Sequence, residues 1–330
     1  MDPLLTRYLS AAEVAAAMPP VEERLALAER TMTALVTDAE LPPKIGVHPR
    51  APGSFAHAMP AALRDPQGVD LLGMKWVAGF PANRAKGLPA INAVVILNDA
   101  STGVPRAILD GGPITAQRTA AVSGVALARF GPRDLGRAPK AAIIGAGVQG
   151  HSHLEVLGLL LPGVELFIND IHADRATRLA DEARATTGIA RATAIGSARD
   201  AVSDADVVIT AASFTDPEHR QAMTGDWLGP DALVIPVDYA TMCAAEVARE
   251  AALFLVDDRG QFVANREAGQ FEGYPDPAAT LGEAILAGTA RPAAGRVVVT
   301  HLGVGLADVV FADAIVRRAE AAGLGTLLRP

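Results

Sequence analysis

Lys140-Ala-Ala-Ile-Ile-Gly-Ala-Gly-Val-Gln-Gly-His-Ser-His-Leu154 runs from strand-like apolar residues through three glycines into a helical pattern. Gly145, Gly147 and Gly150 fall in the G-x-G-x-x-G spacing of a strand, a tight turn and a helix start. Gly145 allows the sharp turn, Gly147 lets a pyrophosphate approach the backbone, and Gly150 lets the helix pack close to the strand. The N–H groups of the helix's first turn, with the positive end of its dipole, then face the phosphates. A glycine-rich turn with no ligand is the competing reading. The downstream residues argue against it: Val164-Glu165-Leu166-Phe167-Ile168 reads as a second strand ending at Asn169-Asp170, roughly 20 residues past Gly150, where an acid accepts hydrogen bonds from the adenosine ribose. Asp170 repels a 2′-phosphate, so NAD is expected over NADP, although Arg175 leaves NADP open.

Beyond Asp170 the strand and helix patterns alternate. A helix is expected near 173–186, strands near 192–195, 206–210, 232–237, 251–256 and 296–300, and a short helix from Ser197. That alternation predicts an α/β, Rossmann-type, doubly wound parallel sheet. Upstream the character differs. Residues 53–60, 71–77, 91–97 and 104–109 read as strands of a mostly antiparallel sheet, with Asn98 to Gly103 as a turn. A strand at 5–9, a helix after a Ser10/Glu13 capping box, and a helix at 20–38 precede them. Ile114 to Phe130 predicts a helix with Thr115 near its start, and Gly131-Pro132-Arg133-Asp134 breaks it. A last helix is expected from Gly305 to Ala322, and the expected division is an α+β domain of residues 1–120, with residues 305–330 packing back on it, and a dinucleotide domain of residues 121–304.

A chain of 330 residues with 50% apolar positions can bury a large core. The net charge of −8 argues against nucleic acid, and no apolar run is long enough to span a bilayer, so a cytoplasmic protein is expected. The single cysteine, Cys243, reads as a buried inert thiol. No histidine spacing suggests a metal, because His151 and His153 do not face each other on a helix.

Lys75 lies inside an apolar strand and Arg118 among small residues on a helix. Burying either is costly unless an anion pairs with it. With these cations, the segments Ala-Met-Pro-Ala at 58–61, Ile-Thr-Ala-Gln-Arg-Thr-Ala-Ala at 114–121, Gly-Ala-Gly-Val-Gln at 145–149 and Gly-Val-Gly-Leu-Ala-Asp at 303–308 follow one another in a familiar order. The chain resembles the ornithine cyclodeaminase/mu-crystallin family over nearly its whole length. The resemblance implies a homodimer whose first domain binds substrate and makes the dimer contact, while the second holds NAD(H). It places Lys44, Lys75 and Arg118 as a clamp on an amino-acid carboxylate, with Met59 beside them; Lys44 stands where cyclodeaminases commonly have arginine. It places Asp238 as the catalytic aspartate together with Lys75, although Tyr239-Ala240-Thr241-Met242 departs from the usual cyclodeaminase surroundings. Thr115, Thr119, Gly145, Gly147, Val148, Gln149, Gly150, Asn169, Asp170 and Asp308 are the expected cofactor contacts.

The activity so implied is hydride transfer from the α-carbon of an L-amino acid to NAD, giving an imine. With L-ornithine the distal amine closes the ring to proline and ammonia leaves, which is the leading expectation. A cyclic imine substrate makes the same site a ketimine reductase, and attack by water makes it an amino acid dehydrogenase. A mu-crystallin-like dinucleotide-dependent binding protein is the reading from another class. A 2-hydroxy-acid dehydrogenase using His57 ranks behind all of these.

Overall fold

The computed structural model describes residues 5–66, 68–133 and 135–329, without the Arg84 side chain, so Asp2, that side chain and Asp134 of the expected breaker lie outside the described residues. In chain order the first elements are β1 (Thr6–Leu9), α1 (Ala11–Ala16), α2 (Val21–Thr37), β2 (Ala39–Glu40), β3 (Ile45–Val47), β4 (Phe55–Leu63), β5 (Leu71–Gly79), β6 (Ile91–Asn98), β7 (Pro105–Asp110) and α3 (Gly111–Phe130). They are followed by β8 (Lys140–Ile144), α4 (Val148–Leu160), β9 (Val164–Asn169), α5 (Ala173–Ala185), β10 (Ile189–Ala194), α6 (Ala198–Val202), β11 (Val207–Thr210) and β12 (Leu233–Pro236). The last are α7 (Ala245–Arg249), β13 (Leu253–Val256), α8 (Arg259–Glu267), β14 (Ala279–Thr280), α9 (Leu281–Leu286), β15 (Val297–Thr300), α10 (Gly305–Ala321) and β16 (Thr326–Leu328). Two compact units result: residues up to Arg118 with those from Gly303 onward, and Thr119–Leu302.

The first unit is built on a mixed sheet of order β16-β1-β7-β6-β5-β4-β2, with β3 also on β4. Its pairs are antiparallel except β1 with β7. Alternation decides the buried face: Leu71, Gly73, Lys75, Val77 and Gly79 of β5 are buried while the residues between them are more open. α10 packs across β4, β5 and β6 on that side. A Cβ on Gly73 would fall 3.1 Å from Val309 of α10 and 2.5 Å from the Ile96 carbonyl, so the close approach of helix to sheet depends on glycine there. Ile45, Val47, Trp76 and Val94 of the opposite face are exposed.

The second unit is a parallel sheet of order β10-β9-β8-β11-β12-β15-β13-β14. Every residue of β11, β12 and β15 is buried, as expected for strands covered on both faces. β8 lies between β9 and β11, where the strand order reverses, which is where α/β sheets receive ligands.

Three details differ from expectation. α3 begins at Gly111, because Asp110 Oδ1 accepts from the Gly112 N–H, and Thr115 therefore sits in the second turn. β10 starts at Ile189, before the expected Ala192. The C-terminal segment forms β16, antiparallel to β1, since β1 offers it an open edge.

Candidate functional site

In the second unit β8 ends at Ile144 and the glycine loop turns into α4, whose N-cap is Gly147. Gly145 has φ +106°, and a Cβ on it would meet the Ala211 carbonyl oxygen at 2.4 Å. A Cβ on Gly150 would meet the Gly145 carbonyl oxygen at 2.5 Å and Leu179 of α5 at 3.0 Å. Around Gly147 there is nothing within 4 Å of such an atom, so open space faces the first-turn N–H groups of α4. Asp170 follows β9 and is fixed at both oxygens: Ala146 N donates to Oδ2 (2.8 Å) and His172 N to Oδ1 (2.8 Å). The acid thus holds the loop and is itself oriented. Asn169 is buried, and its Nδ2 donates to the Ile195 carbonyl at 2.8 Å. These residues fit the diphosphate and ribose of a dinucleotide: glycine where bulk is excluded, open space where phosphate would lie, and an anchored acid.

Asp238 lies just beyond β12 and is 2% exposed. Thr210 Oγ1 donates to its Oδ1 at 2.8 Å and Ala212 N to its Oδ2 at 3.0 Å. Burial outweighs these donors and pushes the carboxyl up to about 7. The 211–212 segment touches both Gly145 and Asp238, so the carboxyl stands at the same strand ends as the glycine loop. Tyr239, next in sequence, has φ +61°, a strained value for a bulky residue. Its hydroxyl donates to the Leu302 carbonyl at 3.3 Å.

A buried network missed in the sequence backs this edge. His153 Nδ1 lies 2.6 Å from the Gln149 carbonyl, its Nε2 lies 2.8 Å from Ser123 Oγ, and Ser123 Oγ lies 2.9 Å from His301 Nε2. A carbonyl only accepts, so His153 carries its proton on Nδ1 and burial holds the ring neutral, pushed down to about 4. Its Nε2 then accepts from Ser123, whose oxygen accepts from His301. The network ties α3, α4 and the segment after β15. Separation in sequence hid it.

In the first unit, Lys75 is 1% exposed and Arg118 6%. Asp308, fully buried on α10, pairs with both: Oδ2 is 2.7 Å from Lys75 Nζ and Oδ1 accepts from Arg118 Nε at 3.2 Å. Asp308 is therefore the counter-ion of the two cations. Burial still pushes Lys75 down to about 7, opposed by Asp308 and aided by Arg118 and Lys44. The glycines before α10 make the arrangement compact. A Cβ on Gly303 (φ +81°) would lie 2.5 Å from an Arg118 nitrogen, and one on Gly305 would lie 2.3 Å from the Met59 carbonyl.

The expected site residues thus fall in two groups. Lys44, Met59, Lys75, Thr115, Arg118 and Asp308 lie in the first unit; Thr119, Gly145, Gly147, Val148, Gln149, Gly150, Asn169, Asp170 and Asp238 lie in the second. Thr115 and Thr119 are one helical turn apart on α3. Cys243 is buried and its thiol is pushed up to about 12 by burial, an inert state. Among the described residues Asp216, Glu218 and His219 could converge on a metal, but all three are exposed.

The family model described as "Ornithine cyclodeaminase/mu-crystallin family" matches residues 8–323. The chain belongs to the ornithine cyclodeaminase/mu-crystallin family. One relative, the nodulation efficiency protein NfeD of Rhizobium meliloti, is 35% identical over 98% of this chain and 98% of its own length. Another, the ketimine reductase mu-crystallin of Mus musculus, is 31% identical over 74% of this chain and 75% of its own. Among solved structures, the Thermococcus litoralis Δ1-pyrroline-2-carboxylate reductase in complex with NADH and L-proline is 26% identical, with a TM-score of 0.82 over 97% of this chain and 99% of that one. Members of this family therefore include imine reductases.

Proposed function

We propose that the chain is an NAD(H)-dependent enzyme acting at the α-carbon of a small 2-imino or 2-amino acid, working as an imine reductase. The observation that carries this reading is Asp238: a buried carboxyl titrating near 7, joined through the 211–212 segment to the dinucleotide loop. A group with that pKa exchanges a proton efficiently at neutral pH. The NADH-bound reductase and the mouse ketimine reductase support the same reaction class.

When bound, NADH supplies the hydride. Reduction of C=N adds that hydride to carbon and one proton to nitrogen, and protonated Asp238 is the donor of the proton. Arg118 and Lys75 hold the substrate's carboxylate; Asp308 neutralises one of their two charges and leaves the other for the ligand. Lys44 adds a further positive charge. Asp170 holds the ribose and the first turn of α4 the diphosphate. Oxidation of an amino acid uses the same groups in reverse, with Asp238 taking the proton, so cyclisation of L-ornithine shares this first step.

The exposed apolar face of the first unit's sheet, with Trp76, Val94, Ile45 and Val47, is proposed as the surface covered by a second copy. Light scattering of wild type and Trp76→Glu tests the dimer.

The function is tested with purified protein and NADH, following absorbance with Δ1-pyrroline-2-carboxylate, and with L-ornithine and NAD, following ammonia, proline and NADH together. NADH consumption with the cyclic imine supports the reductase. Ammonia and proline without lasting NADH mean a cyclodeaminase. Tight NADH binding with no turnover of either, unaltered in Asp238→Asn, means a binding protein.

A further inference from the structure

The register of the first unit's sheet places the carboxylate-binding cations in one row and shows where the rest of the substrate must go. Met59 of β4 pairs with Lys75 of β5, and Lys75 with Val95 of β6. Continuing the β3 register by one residue puts Lys44 opposite Met59. Residues paired across an antiparallel sheet share a face, so Lys44, Met59, Lys75 and Val95 form one row on the face that α10 covers.

From that row a substrate side chain has two ways to extend along the strands. One way is closed: Ala61, Gly73 and Leu97 form the next row, and all are buried, with Gly73 against Val309 of α10. The other leads to Gly46, His57, Val77 and Ala93, then to Phe55, Gly79 and Ile91. This side opens outward, since His57 and Phe55 are only half-buried and Ile91 is 45% exposed. None of these residues is acidic. Among the described residues the carboxylate at the row of cations is Asp308, already held by Lys75 and Arg118.

The two aromatic rings fill glycine gaps. A Cβ on Gly46 would lie 3.0 Å from the His57 ring, and one on Gly79 would lie 2.2 Å from the Phe55 ring. The rings stack at 4.6 Å and 27°, making a flat surface next to the apolar cluster of Met59, Val77 and Ala93.

Resting on the function proposed above, we propose that His57 is a specificity-determining residue: the His57–Phe55 stack and the Met59–Val77–Ala93 cluster receive an uncharged, apolar or ring-closed side chain and exclude one that ends in an ammonium group. None of the described residues of these rows is acidic, so a terminal ammonium lying on them would give up its water without a carboxylate to pair it. The His57 ring, pushed down to about 4 by burial and by Lys44, His48 and Lys75, stays neutral at pH 7 and presents no charge to an apolar substrate. L-Ornithine, the leading expectation from the sequence, carries the distal ammonium that this surface rejects.

The test compares ligands on the intact protein loaded with NADH or NAD. Calorimetry measures binding of L-proline and L-ornithine, and steady-state assays measure kcat/KM for Δ1-pyrroline-2-carboxylate reduction and for L-ornithine oxidation. Wild type should bind L-proline at least about tenfold more tightly than L-ornithine, a difference of about 1.4 kcal/mol. His57→Glu should reduce that preference about tenfold or reverse it, while His57→Gln, which adds no charge, should keep it. Equal binding of the two ligands by wild type overturns the proposal, as does a preference unchanged in a folded His57→Glu. If His57→Glu does not fold, the wild-type ratio and the His57→Gln ratio decide. No turnover with either substrate would count against the proposed enzyme, whereas the two binding constants still judge the side-chain surface.

Discussion

Replacing Asp238 by Asn should stabilise the protein while removing its activity. The carboxyl's pKa rises from 3.8 in the unfolded chain to about 7 in the folded one, because burial disfavours the ionised form. A raised acid pKa means that the folded state holds the proton more tightly. Below pH 4 both states are protonated and the group has no effect. Between pH 4 and 7 the unfolded state loses its proton first, so stability falls as pH rises, and above 7 the loss is constant. A rise of about 3 units at 1.36 kcal/mol per unit is about 4 kcal/mol, an upper figure because local relaxation softens it. Asn cannot ionise. Its oxygen can accept from Ala212 N, and its amide can donate to the Thr210 hydroxyl, so both neighbours keep a partner. Urea denaturation of wild type and variant at pH 4.5 and 8 gives the test. The variant should gain several kcal/mol at pH 8 and little at pH 4.5, while kcat for imine reduction drops by about 10² or more. A stability difference independent of pH would falsify the assignment of a neutral buried carboxyl. An undiminished kcat would remove Asp238 from the chemistry.

Three further outcomes are expected from the same geometry. Asp308→Ala strands Lys75 and Arg118 without their counter-ion and should cost about 3–5 kcal/mol in urea denaturation, and a loss under 1 kcal/mol would mean that the cations are not held by it. Gly147→Ala should leave the melting temperature near wild type yet weaken NADH binding, whereas Gly150→Ala, which drives a Cβ onto the Gly145 carbonyl, should lower the melting temperature; equal effects of the two on melting would contradict the loop geometry. Nitrogen NMR of histidine-labelled protein should show His153 neutral, with its proton on Nδ1, from pH 7 down to about 5, and Ser123→Ala should cost about 1–3 kcal/mol by leaving a buried partner unmet.

Local chemistry explains which parts were legible beforehand. The glycine spacing, the apolar strand before it and the acid after the next strand act within a short span of chain, so the turn at Gly145 and the anchored Asp170 could be read from the residues alone. The same holds for the antiparallel layer, where alternation in β5 marks the buried face before any partner strand is known. Capping set the limit: Asp110 captures the Gly112 N–H and starts α3 a turn early, a choice that competing weak propensities left open.

The family and the α/β class, with a doubly wound sheet and a second, differently built sheet, were determined by the sequence itself, because periodicity, turn glycines and ordered motifs are properties of neighbours along the chain. Tertiary structure alone decided that Asp308, far from Lys75 and Arg118 in sequence, is their shared counter-ion, and that Ser123 bridges two histidines. It also decided that the row beyond the cations holds His57 and no acid, since strand register is set by pairing across the sheet. Burial and electrostatics depend on what folding brings together, and charges that meet through space leave no period in the chain.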